Sequence, residues 1–239
     1  MTAGDEGVLE QLLPPYVAAA EAFEDPPGPP FVHLLPPEAE VISHAIPRRQ
    51  REFATVRICA RRAMATLGVP PVPLLPDRHR APQWPTGIVG AMTHCAGYRA
   101  AAVARRERVE GVGIDAEPNL PLPARLLKVI ALEPERSQVN SLQRRLPEVR
   151  WDRLLFSAKE AVFKLWHPLT HHRLGFDQAL IRLEPWAGTF TIRLLVPVPD
   201  LPARLDRLAG RWVCRKNLVV TAITLLRPPT VAPSRPGPA

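Results

Sequence analysis

The sequence predicts a mixed α/β (α+β) protein built in two halves, and three patterns in its 239 residues carry that prediction. A long amphipathic helix is followed by short strand-like runs. The same order, helix and then strands, returns in the second half. Prolines gather in the segments between these elements rather than inside them. Strands that follow a helix in runs, instead of alternating with helices one by one, point to α+β packing. No internal sequence repeat is strong enough to establish a duplication.

The first helix is predicted over residues 48–67, where Phe53, Val56, Ala60, Ala63, Met64 and Leu67 mark one face and Gly68 with Pro70 supplies a stop. Its other side is crowded with Arg49, Arg51, Arg57, Arg61 and Arg62. Strands are expected at 88–95, 99–105 and 109–116, punctuated by Gly97 and Gly111. A second long helix spans about 150–166, with Trp151, Leu154, Leu155, Ala158, Val162, Leu165 and Trp166 forming a broad apolar face. Strands follow near 178–184, 189–196, 211–215 and 218–226, and Phe190, Ile192, Leu194 and Val196 alternate along the second of these. Connectors are proline-marked at Pro26 to Pro30, Pro36-Pro37, Pro70 to Pro76 and Pro118 to Pro123. This divides the chain into an amino-terminal half, 1–112, a carboxy-terminal half, 113–227, and an expected flexible, Pro-rich tail at 228–239.

Composition sets the outer bounds. Hydrophobic residues make up 46% of the chain, enough for a real core without disulfide staples. The 30 prolines and 13 glycines together stay below the roughly 25–30% that marks a disordered chain. No apolar run reaches the roughly 18 residues that a bilayer span requires, and the acidic start (Asp5, Glu6, Glu10) is unlike a basic signal-peptide leader, so a cytoplasmic protein without membrane association is expected. Three cysteines, Cys59, Cys95 and Cys214, show no C-x-x-C spacing and fit a reducing compartment. His94 beside Cys95 is a poor nucleophile pair, since neighbours on a strand face opposite ways. His171-His172 is expected at the surface. The net charge of +8 favours polyanionic ligands or acidic partners without naming one.

Two patches carry the chemistry. In Gly113-Ile-Asp-Ala-Glu117, Asp115 and Glu117 stand at i and i+2 of a strand and point the same way. In Phe156-Ser-Ala-Lys-Glu-Ala-Val-Phe-Lys164, Glu160 and Lys164 share with Arg153 and Ser157 a stripe of roughly 60° opposite the apolar face, and Lys159 lies to one side of it. Taken alone, either patch is ordinary solvated surface. Together, three carboxylates beside two lysines suit a Mg²⁺ ion, which takes oxygen ligands and keeps places for water and substrate phosphate. Ala116 offers no further ligand.

These segments, with Arg48-Arg-Gln-Arg-Glu-Phe53, Ala81-Pro-Gln-Trp-Pro85, Thr93-His-Cys-Ala-Gly-Tyr98, Trp151-Asp-Arg-Leu-Leu-Phe156 and Leu174-Gly-Phe176, resemble the Sfp-type 4′-phosphopantetheinyl transferases, in particular the branch of high-GC bacteria related to the enterobactin synthase component D proteins. The resemblance implies two pseudo-symmetric subdomains, each a small antiparallel sheet packed with a long helix, and an active site in the cleft between them. It implies Mg²⁺-dependent transfer of 4′-phosphopantetheine from coenzyme A, as substrate, to a serine hydroxyl of an acidic apo acyl or peptidyl carrier protein, with release of 3′,5′-ADP. By the family pattern Asp115, Glu117 and Glu160 hold the metal, and Glu160 is also the general base. Lys159 and Lys164 stabilise phosphate charge, with Lys164 assisting the leaving group. Arg49 and Arg57, about 80° apart on an ideal helix, contact coenzyme A together with Thr93, His94 and Asp115. A monomer is expected.

One departure stands out. Where the family carries a short basic, glycine-bearing turn around the nucleotide end of coenzyme A, this chain has Pro76-Asp-Arg-His-Arg-Ala81. Without glycine, positive φ is harder to reach, and His79 and Arg80 are the coenzyme A contacts expected from this turn. Two other readings compete. A nucleic-acid-binding protein built on the arginine helix is disfavoured by 6% aromatic content and the absence of any recognition signature. A coenzyme A-binding regulator without transferase activity is disfavoured by the intact Asp115, Glu117, Glu160 and Lys164.

Overall fold

The computed structural model describes residues 7–196 and 208–228. The expected tail, all but Pro228, lies outside the described residues. Strand β1 (Val17–Ala22) is followed by a short helix α1 (Pro36–Ile42) and the long helix α2 (Pro47–Thr66). Then come β2 (Ile88–Cys95), β3 (Tyr98–Arg105) and β4 (Val109–Pro118), and after them helices α3 (Ala124–Ile130), α4 (Glu133–Arg145) and α5 (Trp151–Thr170). Strands β5 (Ala179–Glu184), β6 (Thr189–Leu194), β7 (Leu208–Arg215) and β8 (Leu218–Leu226) complete the chain.

The architecture is two antiparallel sheets, one in the order β1-β3-β2 and the other β4-β8-β7-β6-β5. Helix α2 packs on β1 and β3, and α5 packs on β4 and β8, so each sheet carries one long helix. Strand β4 follows β3 in sequence yet pairs with β8, in register Asp115 to Thr221 and Glu117 to Val219. The expected junction between residues 112 and 113 thus falls inside one continuous strand of the second sheet. Val112, Ile114 and Ala116 on one face of β4 join Val89, Ala91 and Val220 in an apolar layer between the sheets.

The opposite face of β4 carries Gly111, Gly113, Asp115 and Glu117 toward α5. A Cβ on Gly113 would stand 2.1 Å from the Ala161 carbonyl oxygen, and one on Gly111 2.6 Å from Leu165 Cδ1. The missing side chains let the α5 backbone lie directly on the strand, which brings the turn containing Glu160 and Lys164 over Asp115. Below it, Trp151, Leu154, Leu155, Ala158, Val162 and Leu165 are buried against β5, β6 and β8 side chains. At roughly 1.5–3 kcal/mol per fully buried large side chain, this face anchors α5 firmly.

Helix α2 starts with Pro47 at its first position, where the missing N–H costs nothing, and ends before Gly68 in the left-handed region at φ 70°. Its arginine side is not a uniformly solvated face. Glu38 of α1, fully buried, accepts from Arg61 Nη1 at 2.9 Å and from the Leu74 amide at 2.9 Å. Arg57 is also buried and donates from Nη2 to the Leu74 carbonyl at 2.8 Å. These bonds pin the segment leading into the 76–81 turn against α2.

Candidate active site

A cleft of about 410 Å³ opens between α2 and α5, closed at one end by the 76–82 turn. It draws together Arg49, Arg57, His79, Arg80, His94, Glu160 and Lys164, all singled out in the sequence, with Phe53, Met92 and Phe163 as apolar wall. Four of these side chains are cationic, so the charge and lining of the cleft suit an anion with an apolar extension.

On the amino-terminal side, Arg49 Nη1 lies 2.5 Å from His94 Nε2, and Glu52 Oε2 stands 3.6 Å from the same nitrogen. His94 keeps 38% of its side chain exposed, yet partial desolvation, aided by Arg49, pushes its pKa down to about 4, with Glu52 opposing. The ring is neutral at physiological pH, so Nε2 accepts from the guanidinium and Nδ1 carries the proton. Arg57 sits over the Phe53 ring at 3.1 Å, a cation–π contact, while its Nε and Nη2 bond the Leu74 carbonyl. Burial lowers its pKa to about 9 against the raising influence of Glu38, and it remains a cation at neutral pH.

On the carboxy-terminal side, Lys164 Nζ donates to Asp115 Oδ1 at 2.7 Å, and the Thr93 hydroxyl donates to the same oxygen at 3.1 Å. Thr93 Oγ1 also accepts from the Ala116 amide at 3.2 Å, tying β2 to β4 at the seam between the sheets. Asp115 Oδ2 is buried and has no hydrogen-bond partner. Two residues on, Glu117 accepts from Arg153 Nη1 at 3.0 Å. Burial first and Asp115 second push the Glu117 pKa up to about 7, against Arg153 and Lys164. The same two causes raise that of Glu160, with Lys164 opposing. Glu117 and Glu160 thus both feel the charge of Asp115, with Arg153 and Lys164 opposing at the first and Lys164 at the second.

Lys159 requires a correction. It is buried on the other flank of α5, where Nζ meets Glu135 Oε2 at 2.9 Å and donates to the carbonyls of Phe176 at 2.5 Å and Ala179 at 2.9 Å. All three donors are engaged, and the ammonium faces α4 and the start of β5 instead of the cleft. Its sequence neighbour Glu160 points the other way because successive helical residues are 100° apart. Ser157, expected on the polar stripe, is likewise buried and hydrogen-bonded with Thr221 at 2.9 Å. The cysteines stay thiols: burial drives Cys59 to about 11 and Cys95 to about 12, which removes the nucleophile reading.

Comparison with known families decides the identity. Residues 37–104 match the model of the 4′-phosphopantetheinyl transferase N-terminal domain, and residues 111–221 match that of the 4′-phosphopantetheinyl transferase superfamily. The chain belongs to the 4′-phosphopantetheinyl transferases. It is 52% identical over 222 residues to 4′-phosphopantetheinyl transferase Svp of Streptomyces mobaraensis, covering 92% of this chain and 90% of that protein. It is 45% identical over 235 residues to 4′-phosphopantetheinyl transferase PptT of Mycobacterium tuberculosis, covering 94% and 100%. Enterobactin synthase component D of Salmonella typhi is 32% identical over 184 residues, covering 75% and 73%.

Among the described residues of this transferase, no three His, Cys, Asp or Glu side chains are drawn together tightly enough to cage a metal alone. A Mg²⁺ site does not demand such a cage, because the ion keeps waters and substrate phosphates as ligands. The orphaned Asp115 Oδ2 and the raised pKa values of Glu117 and Glu160 fit a divalent cation, which would give the first a partner and favour the charged forms of the other two. Sequence reading missed several members of this transferase site. Glu52 pairs with Arg49, which in turn engages His94, Arg153 neutralises Glu117, and Asp77 meets His167 at the closed end of the cleft. Glu52, Arg153 and Asp77 lie inside segments already noted; His167 carries no sequence signal. No helix among the described residues is long and apolar enough to cross a membrane.

Proposed function

We propose that this transferase moves 4′-phosphopantetheine from coenzyme A to a serine of an acidic apo acyl or peptidyl carrier protein, in a Mg²⁺-dependent reaction that releases 3′,5′-ADP. The observation that carries the reading is the cleft itself, which sets Arg49, Arg57, Arg80 and Lys164 around a polyanion beside a set of acidic groups that includes the half-satisfied Asp115. The diphosphate of coenzyme A lies among these cations, and its nucleotide end runs toward His79 and Arg80. The His94 Nδ1–H, with Nε2 engaged by Arg49, donates to a phosphate oxygen.

Asp115, Glu117 and Glu160 would hold the Mg²⁺, whose chemistry is to neutralise charge on the diphosphate as it reacts. The chain's own residues do the rest. Glu160, whose pKa is raised by burial and by Asp115, takes the proton as the serine Oγ attacks the phosphorus that bears the pantetheine. The new Oγ–P bond forms as the bond from that phosphorus to the ADP oxygen breaks. Lys164, whose ammonium stands at the cleft beside Asp115, neutralises the leaving phosphate. Phosphoryl transfer depends mainly on alignment and charge neutralisation, and the cleft offers both. Lys159 positions α5 against α4 and touches no phosphate.

The free thiols fit a reducing cytoplasm, and the net charge of +8 suits an acidic carrier met by a monomeric enzyme. The test is intact-protein mass spectrometry of apo carriers from fatty-acid, polyketide and nonribosomal-peptide systems, incubated with the enzyme, coenzyme A and Mg²⁺, with an EDTA control. Gain of one phosphopantetheine that EDTA abolishes is the expected result. Absence of gain on every carrier refutes the reading and leaves a coenzyme A-binding protein without transfer activity.

A further inference from the structure

The 76–82 turn has an unusual backbone. Arg80 adopts φ 70°, in the left-handed region that is strained for a residue bearing a side chain. The Asp77 carboxylate opposes that strain, since Oδ1 accepts from the amides of His79 and Ala81, both at 2.8 Å. Backbone bonds between Asp77 and Ala81 and a bridge between Pro76 and Pro82 close the loop at its base. In front lies the cleft, and behind it a second cavity of about 180 Å³ separates Ala81 and Pro82 from Leu169 and His171. What ties the loop to the opposite wall is Asp77 Oδ2, 3.3 Å from His167 Nε2 on α5. The edge of the His79 ring also meets His167, with centroids 5.0 Å apart. His167 is a rigid anchor: it is 2% exposed and stacked on Phe163 at 5.8 Å. Its Nδ1 has no partner, so the ring has one polar bond, and that bond points at the turn.

We propose that Asp77 and His167 are positioning residues, a latch between the two halves of the fold that holds the 76–82 turn across the cleft so that Arg80 and His79 face the nucleotide end of coenzyme A. In this role Asp77 does with its side chain what a glycine would do through backbone freedom: one carboxylate oxygen stabilises the left-handed residue and the other sets the turn's direction. The latch rests on the reading that coenzyme A fills this cleft with its nucleotide end at Arg80.

The test is calorimetric titration of coenzyme A into the full chain without carrier, for the natural protein and for His167→Phe, His167→Gln, Arg80→Ala and the His167→Phe/Arg80→Ala pair. His167→Phe keeps the stacked ring and loses the donor; coenzyme A affinity should fall about tenfold, or about 1.4 kcal/mol, with KM raised and kcat near the natural value. His167→Gln, which retains a donor, should restore most of the affinity. The pair should bind no more weakly than Arg80→Ala alone, because the latch acts through Arg80. If His167→Phe does not fold, Asp77→Ala, on a partly exposed turn, takes its place in the same cycle. Unchanged affinity in the latch variant, or losses that simply add in the pair, overturns the latch while leaving the transferase reading intact. Failure of the natural protein to bind coenzyme A overturns both.

Discussion

Replacing Lys164 with methionine isolates the charge that holds Asp115. Methionine retains an unbranched apolar side chain and its packing, so the change removes chiefly the ammonium 2.7 Å from Asp115 Oδ1. The carboxylate is 6% exposed and would be left with the Thr93 hydroxyl as its one side-chain partner. Breaking a fully buried pair costs roughly 3–5 kcal/mol. Lys164 is 26% exposed, so water already screens part of the attraction and the expected loss is about 2–3 kcal/mol. For a chain of this size each kcal/mol moves the midpoint by about 2–4 °C, which predicts a melting temperature roughly 5–10 °C lower in EDTA. Thermal unfolding followed by circular dichroism measures it. Adding excess Mg²⁺, which stabilises a folded state that binds it by mass action, should then stabilise the variant more than the natural protein, since its Asp115 has lost its resident cation. A variant that melts within about 2 °C of the natural protein in EDTA refutes the dependence of Asp115 on Lys164. An equal Mg²⁺ gain in both proteins refutes metal binding at Asp115.

Glu160→Gln should abolish carrier modification while leaving the melting temperature and coenzyme A binding close to normal; turnover near the natural rate, read by mass spectrometry, removes Glu160 from the base and metal roles. Arg49→Ala removes a charged donor to the ligand and the partner of His94, so coenzyme A affinity should fall roughly 10- to 100-fold by calorimetry, and unchanged affinity sinks the assignment. Glu117 has a folded pKa of about 7, above its unfolded value of 4.5, so the metal-free fold binds the extra proton and its stability should decline as pH rises through that interval. Urea midpoints in EDTA at pH 5 to 8, compared with Glu117→Gln to cancel other groups, should show a loss of roughly 1–3 kcal/mol; a difference that is flat with pH contradicts the protonated state. Lys159→Met leaves Glu135 buried and unpaired, so it should lower the unfolding free energy by roughly 3–5 kcal/mol yet leave coenzyme A affinity in the folded fraction unchanged, and a selective affinity loss would return Lys159 to the phosphates.

The parts of this fold that the sequence announces are those set by local rules. The periodicity of α2 and α5, the proline and glycine around α2, and the alternation in β6 all depend on neighbours a few residues away, and these elements form where the pattern put them, although α5 runs through Pro168 to Thr170, past the expected end near 166, and β6 stops at Leu194. The missed elements lack such signals. β1 is alanine-rich, which gives little strand propensity. α1 is seven residues long and opens with two prolines. α4 buries little apolar surface of its own, with Val139 and Leu142 as its buried hydrophobics. Missing α4 had a direct cost at the site, because Glu135 is the reason Lys159 turns away from the cleft. β4 illustrates the other limit. Consecutive strands usually pair, but β4 leaves β3 for β8, and only the close approach allowed by Gly111 and Gly113 explains why Asp115 and Glu117 end beneath α5. At the atypical turn, loss of glycine does not remove the positive φ. Asp77 restores it at Arg80 through two side-chain bonds that propensity cannot foresee.

The charges of the cleft follow one arrangement. Most of its cations have a carboxylate on the protein side: Lys164 has Asp115, Arg49 has Glu52, and Arg57 has Glu38 at 3.6 Å. Four or more positive charges converging without such partners would repel one another and splay into solvent before a ligand arrived. With them, the cations are held in place in the free protein, and a polyanion meets groups whose ordering cost has already been met during folding. The pairing also separates two kinds of acid. Glu38 and Glu52 have their ion pairs and hydrogen bonds directed at arginines or backbone donors, so they orient cations. Asp115 keeps one oxygen unpartnered and Glu117 and Glu160 keep raised pKa values, so these three retain unmet demand for positive charge. That difference, more than the count of acidic residues, is what separates a structural carboxylate from one suited to a divalent ion in this fold.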